Sequence, residues 1–461
     1  MTAGTGKKQG RNAARDGAPG RVTVLGLADT SDLTGPTRTL IGEAKIVAGP
    51  RRLLDSVAGV MSGEAARIPL SGNLTRWLGD LAKAAATGEP VLVLADGDPN
   101  YFGLGARVKA ALPGRHIVLR PAVTTVQKAF ALLGSTWAGA EVQSLHGRKD
   151  WKPFWAAVFR AGQAGGTGKV AVYTDKENSP RCIASRMLER GQTNWDVHVF
   201  EDLGTERQSV WMGSLAPAAE MDFSELNLTV LSQTSAPSFL TLGSPEDAFE
   251  HTAGMITKSE VRVTALGLLE LRGSETLWDL GCGSGSLSLE AGLLLPHGRI
   301  CAVELDRQRA AQARNNRAKF GVAHLDILEG DALDLLPGLP KPDRVFVGGG
   351  GPRLEAILHE ALGLVSPGGV VVVAVVRLDS LDSAINAMAA AGIQPSVTQI
   401  LAARGEPLSG SLYLKPTNPV FLIKARVPEK KGAKAPAKAQ AGPGRDPGAT
   451  LTDAGLGKSE A

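Results

Sequence analysis

Cysteine, histidine and aromatic residues are scarce in this chain of 461 residues. It has three cysteines, seven histidines and 5% aromatic residues. Cys182, Cys282 and Cys301 are far apart in the sequence, whereas disulfide frameworks and zinc sites use closely spaced cysteines and histidines. The sequence therefore predicts neither a metal site nor a disulfide, and it is typical of a protein of the reducing cytoplasm.

Long hydrophobic runs are also missing. No apolar stretch approaches the roughly 20 residues that a membrane-spanning helix needs, and the first residues lack the apolar core of a secretory signal. We therefore expect no membrane partner. Glycine and proline are plentiful, at 56 and 27 residues, which favours an α/β fold with many tight turns over an all-β sandwich.

The net charge of +4 is small, and its basic excess falls at the two ends of the chain. Residues 1–20 and 428–461 are rich in glycine, alanine, lysine and proline and have almost no large apolar residues. Such segments cannot bury enough surface to offset their conformational entropy, so we predict two disordered tails. The near-neutral region between them predicts no nucleic-acid partner, because nucleic acids bind to basic faces.

Apolar strands and amphipathic helices alternate through the rest of the chain, in two blocks. In the first block the strands are predicted at Arg21–Leu25, Pro90–Ala95 and Val170–Tyr173, with helices at Leu74–Ala86 and Val123–Leu133. Residues 215–250 are rich in proline, serine and threonine, have one short apolar stretch at Leu226–Leu231, and are interpreted as a bridge. We therefore predict one α/β domain over residues 21–235 and a second over residues 240–427.

The second block contains a glycine-rich turn between a strand and a helix. The run Asp279–Gly285 has the spacing G-x-G-x-G. A dinucleotide site instead has G-x-G-x-x-G and binds a pyrophosphate at the N-terminus of the following helix. An acid before the turn, Asp279, fits the ammonium and sulfonium of S-adenosylmethionine better. Glu304 ends the next strand, where a carboxylate accepts hydrogen bonds from ribose hydroxyls, and Asp331 follows the third strand and could accept from the adenine amino group. These features predict a class I methyltransferase with a Rossmann-like fold.

The segment after the fourth strand bears on what is methylated. Enzymes that methylate exocyclic amines often carry an Asn/Asp-Pro-Pro-aromatic segment there, but this chain has glycines from Gly348 to Gly351. The glycines leave room for a bulky substrate and offer no side chain to orient an amine. A methyltransferase for RNA or for another small molecule stays open as the alternative.

The run Phe249–Arg262, together with the glycine turn that follows it, resembles the decarboxylating cobalt-precorrin C-15 methyltransferase family. The resemblance implies that the methyl donor is held by Gly281, Gly283, Glu304, Asp331 and Ala332. Asp279, Gly285 and Gly348 are further candidates for donor binding. Thr257 and Lys258 would line the pocket, and Lys258 and His251 are the catalytic candidates. The alternatives are a solvated lysine in a first helical turn and a surface or capping histidine.

Several segments of the first block, in order, resemble the tetrapyrrole (corrin/porphyrin) methylase family, in its precorrin C-5 methylating branch. In that family the fold is two α/β lobes with the donor between them. The matching positions imply that the donor is contacted by Gly97, Asp98, Phe102, Val123 and Thr124. The Ser144–Arg148 segment would place His146 and Arg148 at the substrate.

One segment departs from that family. Its first strand usually leads into a Gly-x-Gly-Pro-Gly loop, but here the chain reads Gly26-Leu-Ala28-Asp29-Thr30. Residues other than glycine adopt positive φ only at a cost. The loop therefore has another shape, or donor binding or turnover in this half is altered.

Two such halves on one chain resemble fused C(5,15)-methyltransferases of corrinoid biosynthesis. The resemblance implies methylation of a tetrapyrrole at ring positions 5 and 15, loss of carbon dioxide from an acetate side chain, S-adenosylmethionine as donor in both halves, and a homo-oligomer. The electron-rich macrocycle is itself the nucleophile, so the enzyme must mainly align it and exclude water. Arg148 and Lys258 are the candidates to clamp its carboxylates.

Overall fold

The computed structural model describes residues 21–29, 32–70, 72–252, 254–349 and 351–429. The predicted disordered tails lie outside these residues, except for residues 428 and 429. None of the helices in these ranges combines the length and the hydropathy that crossing a bilayer requires.

The first sheet has five parallel strands in the order β3-β2-β4-β1-β5. Its strands are β1 (Val22–Leu27), β2 (Ile46–Pro50), β3 (Ala66–Leu70), β4 (Val91–Asp96) and β5 (Ile117–Arg120). The helices around it are α1 (Gly35–Gly42), α2 (Arg51–Ser56), α3 (Leu74–Ala86) and α4 (Gly105–Ala111). β1 and β4 are buried on both faces, as continuous apolar runs in parallel sheets are.

The second sheet has five strands in the order β6-β7-β10-β8-β9, of which only β6 and β7 are parallel. Its elements are α5 (Thr125–Leu132), β6 (Glu141–Ser144), α6 (Lys152–Gly162), β7 (Lys169–Tyr173), α7 (Pro180–Glu189), β8 (Trp195–Glu201), β9 (Ser209–Ser214), α8 (Leu215–Ala218) and β10 (Asn227–Gln233). The interpretation of residues 215–250 as a bridge was wrong over β10. This strand pairs on both edges at the centre of the sheet, and pairing partners elsewhere in the chain decide its structure.

The third sheet has seven strands in the order β13-β12-β11-β14-β15-β19-β16. Its elements are α9 (Ser259–Leu269), β11 (Thr276–Leu280), α10 (Ser286–Leu294), β12 (Arg299–Glu304), α11 (Arg307–Phe320), β13 (Leu325–Glu329), α12 (Ala332–Leu335), β14 (Arg344–Val347), α13 (Leu354–Leu364), β15 (Val370–Val375), α14 (Leu378–Ala390), β16 (Ser396–Ile400) and β19 (Val420–Arg426), with a separate hairpin of β17 (Ala403–Leu408) and β18 (Ser411–Pro416). The strand order reverses between β11 and β14, and ligands of open α/β sheets bind at such a point. The predicted α/β class, with a Rossmann-like second half, is confirmed.

The two halves contact each other through α6 and α7 on one side and the region of α11 and β13 on the other. The ring of Phe159 packs on that of His324, with 4.4 Å between centroids. The Arg190 guanidinium lies 4.3 Å from the Trp155 ring centroid, donates to the Ala323 carbonyl at 2.8 Å and pairs with Asp326. Aromatic and charged contacts therefore fix one half against the other.

His324 makes this contact sensitive to pH. Burial lowers the pKa of its imidazole to about 4, so the folded protein keeps it neutral. Between pH 6.5 and pH 4 the unfolded chain binds a proton that the folded chain does not, and stability falls as the pH falls, by up to about 3 kcal/mol. We expect His324→Asn to flatten the dependence of the melting temperature on pH in this range. The exposed His359→Asn is the control, and equal slopes in the two variants would contradict the prediction.

Candidate active site

The glycine turn of the second half lies at the reversal of strand order, between β11 and α10. Gly281, Gly283 and Gly285 have φ values of +75°, +57° and +77°, which other residues adopt only at a cost. A Cβ on Gly281 would lie 3.2 Å from the backbone of Gly349, after β14. The turn is therefore a cradle of bare backbone between two strand ends.

Glu304 holds this turn from the end of β12. Its carboxylate is buried and accepts from the backbone N–H of Gly283 at 2.8 Å and of Asp306 at 3.0 Å. Each carboxylate oxygen takes more than one hydrogen bond, so Glu304 can fix the turn and still accept from a hydroxyl. The predicted ribose-binding residue thus touches the predicted donor turn.

Asp279 lies behind the turn and is almost completely buried. One carboxylate oxygen accepts from the Ser288 hydroxyl, whereas the other, Oδ1, has no hydrogen-bond partner among the described residues. Burial, opposed by the Ser288 bond and assisted by the nearby Glu304, raises the pKa of Asp279 to about 7. An unpaired buried acid is costly, and a cationic ligand would relieve it. The residues present therefore fit S-adenosylmethionine.

The residues after β13 and β14 follow strand ends on opposite sides of the cradle, because the sheet order is β13-β12-β11-β14. Asp331 caps α12 by accepting from the backbone N–H of Leu333 at 3.1 Å, and it pairs with Arg353. Ala332 opens that helix. Gly348 follows β14, and a Cβ there would lie 3.2 Å from the Gly281 carbonyl. Sequence reasoning missed Arg353, which engages the carboxylate that was predicted to accept from adenine.

His251, Thr257 and Lys258 lie on the chain that leads into α9. His251 places Nδ1 2.9 Å from the Phe249 carbonyl, so one ring nitrogen fixes the local turn. The Thr257 carbonyl accepts from Arg262 at 2.5 Å, and Lys258 stands just before the first residue of α9. The roles predicted for these three residues stay predictions.

The predicted donor residues of the first half surround the gap between β4 and α5. Gly97, at φ +57°, approaches Thr124, whose Cα a Cβ on Gly97 would meet at 3.0 Å. Asp98 closes a turn by accepting from Asn100 N–H at 2.8 Å. Thr124 caps α5 in a reciprocal capping box with Gln127, and the neighbouring Val123 is exposed. These residues form one bare-backbone notch in the first lobe.

Phe102 joins this notch to the second lobe. It has φ +54°, is half exposed and packs on Tyr173, at the end of β7, with 5.7 Å between ring centroids. Strain in a non-glycine residue is retained where its surroundings demand it. The ring thus stands between the two lobes, where the resemblance expects the donor.

His146 and Arg148 are exposed on the loop after β6. His146 places Nδ1 3.0 Å from the Thr174 carbonyl. The buried Asn178 amide donates to the Leu145 carbonyl at 2.9 Å and the Arg148 carbonyl at 3.0 Å. Asn178 therefore shapes the loop, although sequence reasoning assigned it no role.

An ion pair and hydrogen bonds hold the residues that follow β1, where this chain departs from the Gly-x-Gly-Pro-Gly pattern. Lys128 pairs with the Asp29 carboxylate and donates to the Ala28 carbonyl at 2.9 Å. The Asp32 carboxylate accepts from the backbone of Ala28 and Asp29. Thr30 lies outside the described residues. An ion pair and backbone hydrogen bonds therefore hold Ala28 and Asp29, the described residues that follow β1.

Two family models match the chain. Tetrapyrrole (corrin/porphyrin) methylases match residues 25–219, and the precorrin methyltransferase domain matches residues 247–426. A Sinorhizobium protein, the precorrin-6Y C(5,15)-methyltransferase [decarboxylating], is 31% identical over 410 residues, covering 87% of this chain and 94% of the relative. The chain belongs to this family. The resemblances of the two halves are thereby confirmed at the level of family.

Shorter relatives match about two fifths of the chain. A Pyrobaculum aerophilum protein named as a probable cobalt-precorrin-6B C(15)-methyltransferase (decarboxylating) is 41% identical over 190 residues, which are 41% of this chain and 97% of the relative. A crystal structure of precorrin-6Y C5,15-methyltransferase from Geobacter metallireducens is 35% identical, covers 41% of this chain and 100% of that chain, and has a TM-score of 0.40.

Proposed function

We propose that this chain methylates precorrin-6Y, or its cobalt-containing equivalent, at ring carbons 5 and 15 and removes carbon dioxide from the acetate side chain on C-12. It is an S-adenosylmethionine-dependent methyltransferase of cobalamin biosynthesis. The observation that carries the proposal is the cradle of Gly281, Gly283 and Glu304 over Asp279, whose Oδ1 has no hydrogen-bond partner among the described residues, in a chain whose family match spans both halves.

The second half would hold the donor by its own backbone and acids. S-adenosylmethionine supplies an electrophilic methyl group. Glu304 would accept from the ribose, and Asp279 would balance the positive charge. The glycines after β14 would leave space for a flat macrocycle beside the cradle, and Lys258 would bind its carboxylates.

The first half would hold a second donor in the notch of Gly97 and Thr124, against Phe102. Arg148 then faces the acidic rim of the substrate, because a guanidinium matches a carboxylate in two hydrogen bonds. We assign the decarboxylation to the second half, because the run Phe249–Arg262 and the glycine turn resemble the decarboxylating cobalt-precorrin C-15 methyltransferase family. A relative named as decarboxylating is covered over 97% of its length by only 41% of this chain, which is the share of one half.

A second candidate function follows from the altered loop. The Asp29–Lys128 pair lies in the segment that departs from the Gly-x-Gly-Pro-Gly pattern, which favours a first half that binds the substrate without transferring a methyl group. Only the second half would then be catalytic.

Mass spectrometry of precorrin-6Y after incubation with the full chain and S-adenosylmethionine tests both candidates. We expect a product with two added methyl groups and without one carbon dioxide. One added methyl group with loss of carbon dioxide would favour the second candidate. An unchanged macrocycle would contradict the proposed function.

A further inference from the structure

The side chain of Asn316 joins two parts of the second half that the sequence keeps far apart. It projects from α11 and is 1% exposed. Its carbonyl oxygen accepts from the Glu250 N–H at 2.8 Å, and its amide nitrogen donates to the Glu250 carbonyl at 2.8 Å and to the Ser284 carbonyl at 3.0 Å. Ser284 belongs to the glycine turn, and Glu250 precedes His251. One amide thus bridges the donor cradle and the chain at His251.

The stretch of residues 249–252, called here the His251 segment, has further contacts with the same helix. Phe249 is buried and packs on Phe320 with 5.3 Å between ring centroids. The Thr252 hydroxyl and the Gln312 amide are hydrogen-bonded at 3.2 Å. α11 begins directly after Asp306, whose N–H donates to Glu304. The segment therefore rests on a helix anchored beside the predicted ribose-binding acid.

We propose that Asn316 is a positioning residue that couples the glycine turn to the His251 segment, so that donor binding at the turn orders the segment. The inference rests on the proposed function, because it takes the turn to be a donor site. The physical reason is that the Asn316 amide satisfies the backbone N–H and carbonyl of Glu250 and the carbonyl of Ser284 in the turn. These buried groups lose their partners together when the amide is removed.

The test is hydrogen–deuterium exchange of the full chain with and without S-adenosylmethionine. In the wild type we expect the donor to slow exchange in the glycine turn and in the His251 segment. In Asn316→Ala the segment should no longer respond, while the turn should still be protected at a donor concentration about tenfold higher, as for an ordinary coupling between sites. A role in stability alone would speed exchange without the donor but would not remove the response to it.

Asn316→Asp is a second variant, in case Asn316→Ala does not fold. The aspartate keeps the shape and can accept from Glu250 N–H, and its ionised carboxylate donates to neither carbonyl. Because burial favours the protonated acid, which can donate, exchange is measured at alkaline pH, where we expect the same loss of response. Asn315→Ala is the matched control, because the side chain of Asn315 is exposed and donates to the Glu250 carboxylate at 2.9 Å. This control should behave as the wild type does.

The outcomes separate the inference from the function on which it rests. A segment that responds to the donor equally in Asn316→Ala, Asn316→Asp and the wild type would overturn the coupling. A wild type in which only the turn is protected would overturn it too, with the donor site intact. A wild type protected in neither place would overturn the donor site and the coupling with it.

Discussion

Replacing Arg262 with methionine is expected to lower the free energy of unfolding of the second half by about 3–5 kcal/mol. Arg262 and Glu290 form an ion pair in which both side chains are 0% exposed, with N–O distances of 2.8 and 3.0 Å. The guanidinium also donates to the carbonyls of Thr257 and Ser244, and Glu290 accepts from Gly243 N–H at 3.0 Å. Methionine fills a similar volume, but it leaves a buried carboxylate without its counter-charge and two carbonyls without a donor.

Denaturant unfolding at neutral pH measures the effect. The matched control is Arg377→Met, which breaks an exposed pair with Asp379 and should leave the unfolding midpoint unchanged. The double variant Arg262→Met with Glu290→Leu removes both charges, so it should recover part of the loss, although the backbone groups stay unsatisfied. Equal unfolding midpoints for Arg262→Met and Arg377→Met would show that the buried Arg262–Glu290 pair does not stabilise the second half.

The strands around the donor cradle could be predicted because their sequence and their environment agree. β11, β12 and β14 coincide with apolar runs, since each is an interior strand of the sheet, and each ends at an acid or directly before a glycine. β10 has a similar apolar run, but the polar, proline-rich sequence around it made the run indistinguishable from part of a linker. Its place in the sheet depends on pairing with β7 and β8.

Contacts between distant residues could not be predicted from one sequence. α11 is rich in arginine and asparagine, and its buried face carries Asn316, Gln312 and Arg317, so no apolar periodicity marks the side that packs. The pairing of Asp331 with Arg353 likewise depends on the fold bringing two loops together. Residues that follow directly on a strand end could be assigned to the site, whereas the residues that hold them in place could not.

Glu304→Ala is expected to weaken donor binding in the second half by at least about 100-fold. The substitution removes the buried acceptor of Gly283 N–H and Asp306 N–H and, with it, the charged acceptor proposed for the ribose. Hydrogen bonds to charged groups contribute about 1.5–3 kcal/mol each, and about 1.4 kcal/mol corresponds to a factor of ten. The full chain with this substitution should therefore give a product with one added methyl group that still carries the acetate carboxylate.

The neighbouring strand supplies the control for this experiment. Glu329 is the register partner of Glu304, but its exposed carboxylate pairs with Arg314, so Glu329→Ala should give the wild-type product. Glu304→Gln separates charge from shape, because the amide keeps one acceptor oxygen and loses the negative charge. Its donor affinity should lie between those of the wild type and the alanine variant. A Glu304→Ala chain that makes the fully methylated, decarboxylated product at the wild-type rate would place the donor of the second half elsewhere. Among the described residues, Glu304 is the acid that accepts from the Gly283 N–H.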